Sequence, residues 1–550
     1  MPTITFSLKD LQHLVGKKIS TAELENLLHF AKGEFEGYSK TTDEVTVSLD
    51  DTNLPYLWSV EGIARLLKGV LGSGRQEKIK VEKSGYKIIV ESSVKNVRPF
   101  IAAFVAKGKK IDDYFIKQLV QLQEKFCDNY GRKREKASVG LYSYKKISFP
   151  VHYRAVAPES ASFVPLEFGK KLNLREILKE HPKGRDYAFI LENAEKYPLL
   201  TDSKNEILSF PPIINSNFTG KVEEGDEDIL FEVTGTDEET INLATNVFAY
   251  ALYERGFKIY SVAIEYPERK LTTPLLKEES IRISKSTVHS MLGLELKDAE
   301  IKKLLNRAGF GFENFNVRIP PYRADILHEA DVIEDIAIIY GFDRIKELPM
   351  KSYTVGETLG IVKFSDRLRM LSVGLGYQEI MSTILTSKKS LYEMMCIKDF
   401  GTVEIEKYMS ESYSAVRSWL IPSLMETLSK NRHIDYPQKI FEHGTVTARK
   451  GNGIDDYERI AMASCHSKAD FTEMKQALDF VMSSIGAKYK IEEVEHGSFI
   501  KGRAGRIIVN GKKVAFIGEI SPAVLEKWGL EMPVAALEIN VSELFGMVQG

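Results

Sequence analysis

The feature that most constrains this chain is a long-range internal repeat. The run from Phe6, FSLKDLQHLVGKKISTAELENLLHFAKGEFEG, is answered from Arg282 by RISKSTVHSMLGLELKDAEIKKLLNRAGFGFE. Each copy predicts a helix stopped by a glycine (Gly16, Gly293), then a Ser, Thr or Asp start signal and a second helix. In the second copy Asp298 is expected to cap that helix, and Ile301, Leu304, Leu305 and Ala308 fall on one face that ends at Gly309. Both copies continue with a strand, VTVSL from Val45 or NVRIP from Asn316, and a third helix, SVEGIARLLKGVLG or DVIEDIAIIYGF. The spacing far exceeds that of a solenoid unit, so one module has been duplicated and the copies bracket the segment between them.

That segment, roughly residues 90 to 268, alternates strand-like and helix-like runs. IAAFVAKG, KASVGLYSY, DYAFIL, DILFEVTG and FKIYSVAIEY predict strands, while DDYFIKQLVQLQEKFCDNYG and EETINLATNVFAYALYERG predict helices. The uncharged stretch Thr240 to Tyr253 is too short to span a membrane and reads as a buried or amphipathic helix. In KNEILSFPPIINSNFTG, Ser209, Asn215, Ser216, Asn217 and Thr219 surround two prolines, a polar loop able to line a pocket or to lie on the surface. After Pro349 a helix carries Phe364, Leu368 and Leu371 on one side. Further on, two strands flank Asn510-Gly511, a strong hairpin signal, and VAALEINV adds a third strand to an antiparallel sheet.

The second copy of the repeat also contains the densest chemistry. Between Asp325 and Asp335 lie Asp325, Glu329, Asp331, Glu334 and Asp335. A helix starting near Ala330 puts Asp331 one turn before Glu334 and Asp335, and a loop stiffened by Pro320-Pro321 brings in Asp325. Oxygen donors without a His or Cys cluster suit magnesium or calcium, and the loop lacks the glycine of an EF-hand, which favours magnesium. Acidic residues are equally at home in the first turn of any helix, where they are merely solvated. The first copy carries Asp50, Asp51 and Glu61 at other spacings.

At 550 residues and 43% hydrophobic composition, a soluble protein of several domains is expected. A net charge of −2 excludes nucleic-acid binding over the whole surface and leaves only local or shared contact, for which the basic strings Lys107 to Lys110, Arg132 to Lys136 and Lys145-Lys146 are candidates, a solvated face being the alternative. Cys127, Cys396 and Cys465 are too scattered for a zinc cage or a disulfide framework. No export signal or membrane span is read, and a cytoplasmic location is expected. There is no GxxxxGK[ST] loop, and GVLGSG from Gly69 reads as a helix end and turn rather than a dinucleotide fingerprint. No Ser-His-Asp or Cys-His set emerges, so no catalytic residue is assigned.

SVEGIAR, LVQLQEKFCDNYGRKREK, SFPPIINS, FEVTGTD, PPYRADILHEADVIEDIAIIYGF, LSKNRHIDYPQKIFEHG and GEISPAVLEKWGLEMPVAALEI occur in an order that resembles the beta subunits of phenylalanyl-tRNA synthetases, archaeal and eukaryotic type, over essentially the whole chain. The resemblance implies an α+β multidomain protein: a winged-helix-like module at 1–88, an α/β editing domain at 89–268, a second such module at 269–347 and a class II synthetase-like antiparallel-sheet domain without an active site at 348–550. It implies an alpha subunit as partner in an α2β2 heterotetramer, phenylalanine tRNA as a further partner, and ATP as substrate of the holoenzyme. Arg417 and Glu442, far apart in sequence rather than in a compact Phe-Arg-x-Glu motif, agree with a subunit that does not activate the amino acid. It implies a structural magnesium ion on Asp325, Asp331, Glu334 and Asp335. It implies hydrolysis of tyrosine misattached to that tRNA, in a pocket of Leu200, Ser209, Glu232 and Thr234 in which Glu232, commonly Asp in the family, receives the tyrosine hydroxyl. Two other classes are compatible with the bare residues: a free-standing winged-helix nucleic-acid-binding protein, and a magnesium-dependent hydrolase using the four carboxylates.

Overall fold

The computed structural model describes residues 2–72, 78–350, 352–451 and 453–548. Two compact units divide the chain, Met1–Pro349 and Met350–Gly550.

The duplication is visible in the topology of the first unit. In the N-terminal copy, strands Thr3–Ser7, Gly33–Ser39 and Glu44–Leu49 form a sheet with the last strand in the middle; in the second copy Glu279–Arg282, Gly311–Glu313 and Asn316–Ile319 take the same order. The helices between them follow the sequence signals. Gly16 and Gly293 end Leu8–Val15 and Lys285–Leu292 at φ of 75° and 66°, a left-handed conformation that costs glycine little. Ser20 and Glu23 form a reciprocal cap on Thr21–Leu28.

The expected cap at Asp298 is displaced by one residue. Lys297 is the extended residue before helix Asp298–Arg307, its N–H donates to Glu300 at 2.7 Å, and Asp298 instead pairs with Lys285 at 2.6 Å. The copies meet where the third helix of the first, Val60–Val70, lies on the second. A Cβ at Gly69 would collide with the Arg307 carbonyl, and the Arg307 guanidinium donates to the Val70 carbonyl.

Between the copies runs a mixed sheet whose main path has nine strands: Ile214–Asn215, Ile207–Phe210, Tyr197–Thr201, Val151–Val156, Lys87–Val90, Lys258–Glu265, Phe100–Lys107, Asp228–Gly235 and Ala137–Ser143. Helix Glu238–Glu254 packs across Phe100–Lys107 and Asp228–Gly235 through Phe248, which lies 4.8 Å from the Phe231 ring. Its central residues from Thr240 to Leu252 are buried except Asn242, in keeping with their lack of charge.

One predicted strand is absent. DYAFIL forms the end of helix Pro182–Tyr187 and the 3-10 turn Ala188–Leu191. Pro182 begins the helix, a position where its missing N–H costs nothing, and His181 caps it by accepting the Lys183 N–H. That start signal outweighs six apolar-rich residues.

The second unit is built on a seven-stranded sheet in the order Gln378–Glu379, Gln438–Lys450, Gly453–Cys465, Val534–Asn540, Lys512–Ile520, Phe499–Val509 and Lys490–Glu493. Every neighbouring pair is antiparallel except the first. The predicted hairpin is present, with Asn510 and Gly511 at φ of 48° and 79° as its tight turn requires. Helices Gly360–Gly374, Phe471–Ser484 and Val541–Val548 cover one sheet face through Leu368, Leu478 and Leu544; Ile421–Lys430 and Pro522–Trp528 pack on the other through Leu424 and Trp528. Among the described residues no helix is long and apolar enough to cross a membrane.

Candidate functional site

Strand parity places the residues expected to form the tyrosine pocket. Leu200 and Ser209 stand opposite each other in register, and Glu232 and Thr234 project from one face of Asp228–Gly235, where Glu232 pairs with Gly140. The two ends of the strand path then meet. Tyr142, two residues beyond Gly140 and on the same face, donates its hydroxyl to Glu232 Oε1 at 2.6 Å and lies 2.8 Å from Ser209 Oγ. Gly140 makes this possible, since a Cβ there would collide with both the Glu232 carboxylate and the Tyr142 hydroxyl. Leu200, Tyr142, Tyr153 and Leu230 form one apolar cluster around them.

Glu232 is 3% exposed, and its second oxygen, Oε2, is buried with no hydrogen-bond partner among the described residues. Burial raises its pKa from 4.5 to about 7, against the opposing pull of the Tyr142 hydroxyl and the Arg98 charge. Arg98, 1% exposed, does not reach the carboxylate. It donates to Thr234 Oγ1 at 3.0 Å, to the Thr234 carbonyl at 2.7 Å, and to the Arg134 and Glu135 carbonyls. The Thr234 hydroxyl is therefore held by the protein itself. Sequence reasoning missed Tyr142 and Arg98. Parity from Gly140 signals the first, but only once the register of two strands distant in sequence is known.

The four acidic candidates also come near one another. Asp325, Asp331, Glu334 and Asp335 line a cavity of about 90 Å³ together with Asp51, Lys32 and Arg323. Each has a partner inside the protein. Arg323 binds Asp325 at 2.5 Å and Asp335 at 2.7 Å; Asp331 Oδ2 accepts the Leu327 and His328 N–H groups at 2.7 Å; Glu334 meets Lys32 at 2.9 Å. Burial works against the Arg323 charge, but Tyr56 and the two carboxylates hold its pKa well above the ordinary range. Arg323 stands within the segment PPYRAD, so this counter-ion was in plain view in the sequence.

Five carboxylates against two cations leave surplus negative charge, and the all-oxygen donor set suits a hard cation. Within the protein those donors are turned towards Arg323, Lys32 and backbone N–H groups. Among the described residues no group of three or more His, Cys, Asp or Glu side chains converges as a metal centre.

In the second unit, Arg417 and Glu442 are not apart in space. Their side chains, 4% and 1% exposed, form an ion pair at 2.6 Å, completed by Ser382 and the Thr445 carbonyl. Their separation in the chain therefore says nothing about their contact.

Residues 281–342 match the tRNA synthetase B5 domain, and residues 345–541 match the phenylalanyl tRNA synthetase beta chain CLM domain. The phenylalanine–tRNA ligase beta subunit of Thermococcus onnurineus is 40% identical over 99% of both chains, and that of Pyrococcus abyssi is 41% identical over 99% of this chain and 100% of its own. The chain belongs to the phenylalanine–tRNA ligase beta-subunit family. A crystal structure of an N-terminal fragment of the phenylalanyl-tRNA synthetase beta subunit from Pyrococcus horikoshii covers 62% of this chain and 99% of its own length, at 36% identity and a TM-score of 0.60. Beta subunits of this family are components of a class II aminoacyl-tRNA synthetase.

The raised Glu232 pKa has a consequence for stability. A carboxyl whose folded pKa lies above its unfolded value contributes fully below the unfolded value, near 4.5, and loses that contribution as pH rises through about 7. The loss is on the order of 3 kcal/mol for a shift of this size. Glu232→Gln has no such titration, so the stability of the variant relative to wild type should rise between pH 5 and pH 8 in urea unfolding of the full chain. A difference that stays flat across that range would contradict the buried, protonated carboxyl.

Proposed function

We propose that the chain is the non-activating beta subunit of a phenylalanine–tRNA ligase, which scaffolds the catalytic alpha subunit in an α2β2 assembly and removes tyrosine wrongly attached to phenylalanine tRNA. In this reading 1–88 and 269–347 are winged-helix-like modules, 89–268 is the editing domain and 348–550 is a class II synthetase-like domain without an active site. The identical strand order of the two three-stranded sheets supports the first pair. The extensive antiparallel sheet flanked by helices supports the last, and its Arg417–Glu442 pair is sealed from any substrate. ATP and magnesium for ligation are used by the holoenzyme.

The observation that carries the editing reading is the orphaned, buried Oε2 of Glu232. An apolar pocket discriminates weakly against an isostere bearing an extra hydroxyl, by about a hundredfold, whereas a site built to hydrogen-bond that hydroxyl selects for it strongly. Glu232 offers such an acceptor. Tyr142 on its other oxygen, a phenol donating to the same carboxyl, supports this reading. Leu200 supplies apolar surface, Ser209 and Thr234 polar edges, and no protein base is assigned, so a positioned water and the terminal tRNA hydroxyl carry out the hydrolysis.

The scaffold reading draws on the helix Gly360–Gly374. Its buried face carries Phe364 and Leu368, while Val362, Met370 and Val373 form an exposed apolar stripe opposite, with Met370 at 70%. Met381, just beyond, is 95% exposed. Large apolar side chains grouped in this way mark a contact face, here assigned to the alpha subunit.

Magnesium at the acidic cluster would be held by Asp325, Asp331, Glu334 and Asp335 and would join the loop to its helix. That requires Lys32 to leave Glu334 and Arg323 to release oxygens of Asp325 and Asp335. Melting of the full chain should then rise on adding magnesium, and Asp331→Ala should abolish the rise; a wild-type melting point indifferent to magnesium and to chelator would leave Arg323 and Lys32 as the cluster's only cations.

Glu232→Ala should weaken deacylation of preformed tyrosyl-tRNA by the reconstituted complex roughly tenfold or more, corresponding to loss of a charge-assisted hydrogen bond of about 1.5 to 3 kcal/mol. Phenylalanine charging in the same preparation should be unchanged. Wild-type deacylation by the variant would move the tyrosine site away from Glu232.

A further inference from the structure

The second unit contains a cavity of about 550 Å³ that includes none of the residues assigned to editing. Small-molecule sites span roughly 300 to 1,000 Å³. Its floor is a row of the seven-stranded sheet: Glu538 stands opposite Phe516, and Phe516 opposite Arg506, with Arg459 one pleat along. The residues alternating with these, Ile460, Ile507, Ala515 and Ile539, face the helix-covered side and are fully apolar. Within this row the charged side chains stand on the face that carries the cavity.

The two arginines of this row are unequally served. Arg459 binds Glu538 Oε1 at 2.8 Å, and the other Glu538 oxygen accepts the Leu420 and Ile421 N–H groups at 2.9 and 3.0 Å, so that carboxylate is saturated. Arg506 has no carboxylate in contact among the described residues, although Glu492 stands opposite it in register and lines the cavity with Glu493. Its guanidinium carbon lies 3.7 Å from the centre of the Phe516 ring, and its one hydrogen bond is a long contact of 3.5 Å to the Lys513 carbonyl. The Nε atoms of both arginines are buried without an acceptor. Burial, and after it the neighbouring Arg459, depress the Arg506 pKa against the opposing pull of Glu538.

The wall beside them is aromatic. The His496 ring lies 5.1 Å from those of Phe499 and Phe516 and 5.9 Å from that of Trp419. Its Nδ1 accepts the Ser498 N–H, so in the neutral form Nε2 is the donor. A half-buried guanidinium lacking an anion is costly until one arrives, and flat rings stack on aromatic and guanidinium faces.

We propose that this cavity binds a small planar aromatic molecule bearing an anionic group, with the anion on Arg506 and Arg459 and the ring against Phe516, His496 and Trp419. A nucleoside monophosphate and an aromatic amino acid share that chemistry.

The test uses the full-length chain without its partner, which separates this site from any on the alpha subunit. Trp419 lines the cavity and Trp58 and Trp528 do not, so tryptophan fluorescence reports binding, with calorimetry as an independent check. The probes are AMP and N-acetylphenylalanine. Saturable binding of at least one is expected, with a Kd of about 1 mM or tighter, weakened roughly tenfold or more by Arg506→Met. Binding of AMP alone identifies the anion as phosphate, and binding of N-acetylphenylalanine alone as carboxylate. Should Arg506→Met lose its native circular dichroism, Phe516→Leu replaces it, with the same loss of affinity expected. No saturable binding of either probe, or affinity unchanged in the folded variants, overturns the proposal.

Discussion

A carboxylate enclosed by the mixed sheet without a cation in contact is the constraint around which the first unit is arranged. Placing a charge there is expensive, and the protein meets the cost by raising the pKa of Glu232 and giving one oxygen a phenolic donor. Gly140 must lack a side chain for that donor to fit, and Tyr142 can reach Ser209 only because the two ends of the nine-strand path approach each other. One oxygen is left unsatisfied. A fold that only needed a stable core would do better with an apolar residue, so the unsatisfied acceptor points to a ligand that completes it.

Elsewhere the same molecule handles buried charge by pairing. Arg323 is shared by Asp325 and Asp335, and Arg417 is sealed against Glu442. Such pairs are weak sources of stability but are strongly destabilising to break, so they fix local geometry. Arg323 joins the loop before helix Glu329–Tyr340 to the helix itself, the same joint that a metal ion would make. Arg506 and Glu232 Oε2 are departures from this habit, and each marks a place where the protein has left an interaction open.

Local signals in the sequence were legible where the chemistry is local. Gly16 and Gly293 stop helices because glycine takes the left-handed φ without Cβ strain, and Asn510-Gly511 turns the hairpin because asparagine tolerates that region and glycine is free in it. The repeat was legible because its pattern recurs with its glycines in place, and the assignment to this family rests on motifs spread over the whole chain. DYAFIL misled because a short apolar run is compatible with either element, and Pro182 decided it. Asp298 misled because a capping residue and a first-turn acid differ by one position. Leu200, Ser209, Glu232 and Thr234 could be named as a group from the resemblance, yet Tyr142 and Arg98 could not. Their roles depend on strand register and on a closure that joins residues 67 and 90 positions apart. Arg323 is adjacent to the acidic run in sequence, yet only the folded loop brings its charge onto Asp325 and Asp335.

The central claim is that Glu232 is a buried acceptor for a phenol. It can be measured directly by infrared difference spectroscopy of the full chain at pH 7, with Glu232→Gln as the reference that identifies the carboxyl band. Adding a non-hydrolysable tyrosyl-adenosine amide should convert protonated Glu232 to carboxylate, because a hydrogen bond donated to Oε2 favours the charged form; the phenylalanyl analogue, lacking the hydroxyl, should leave the band in place. A carboxyl band that ignores both analogues, or that responds equally to both, would contradict the account.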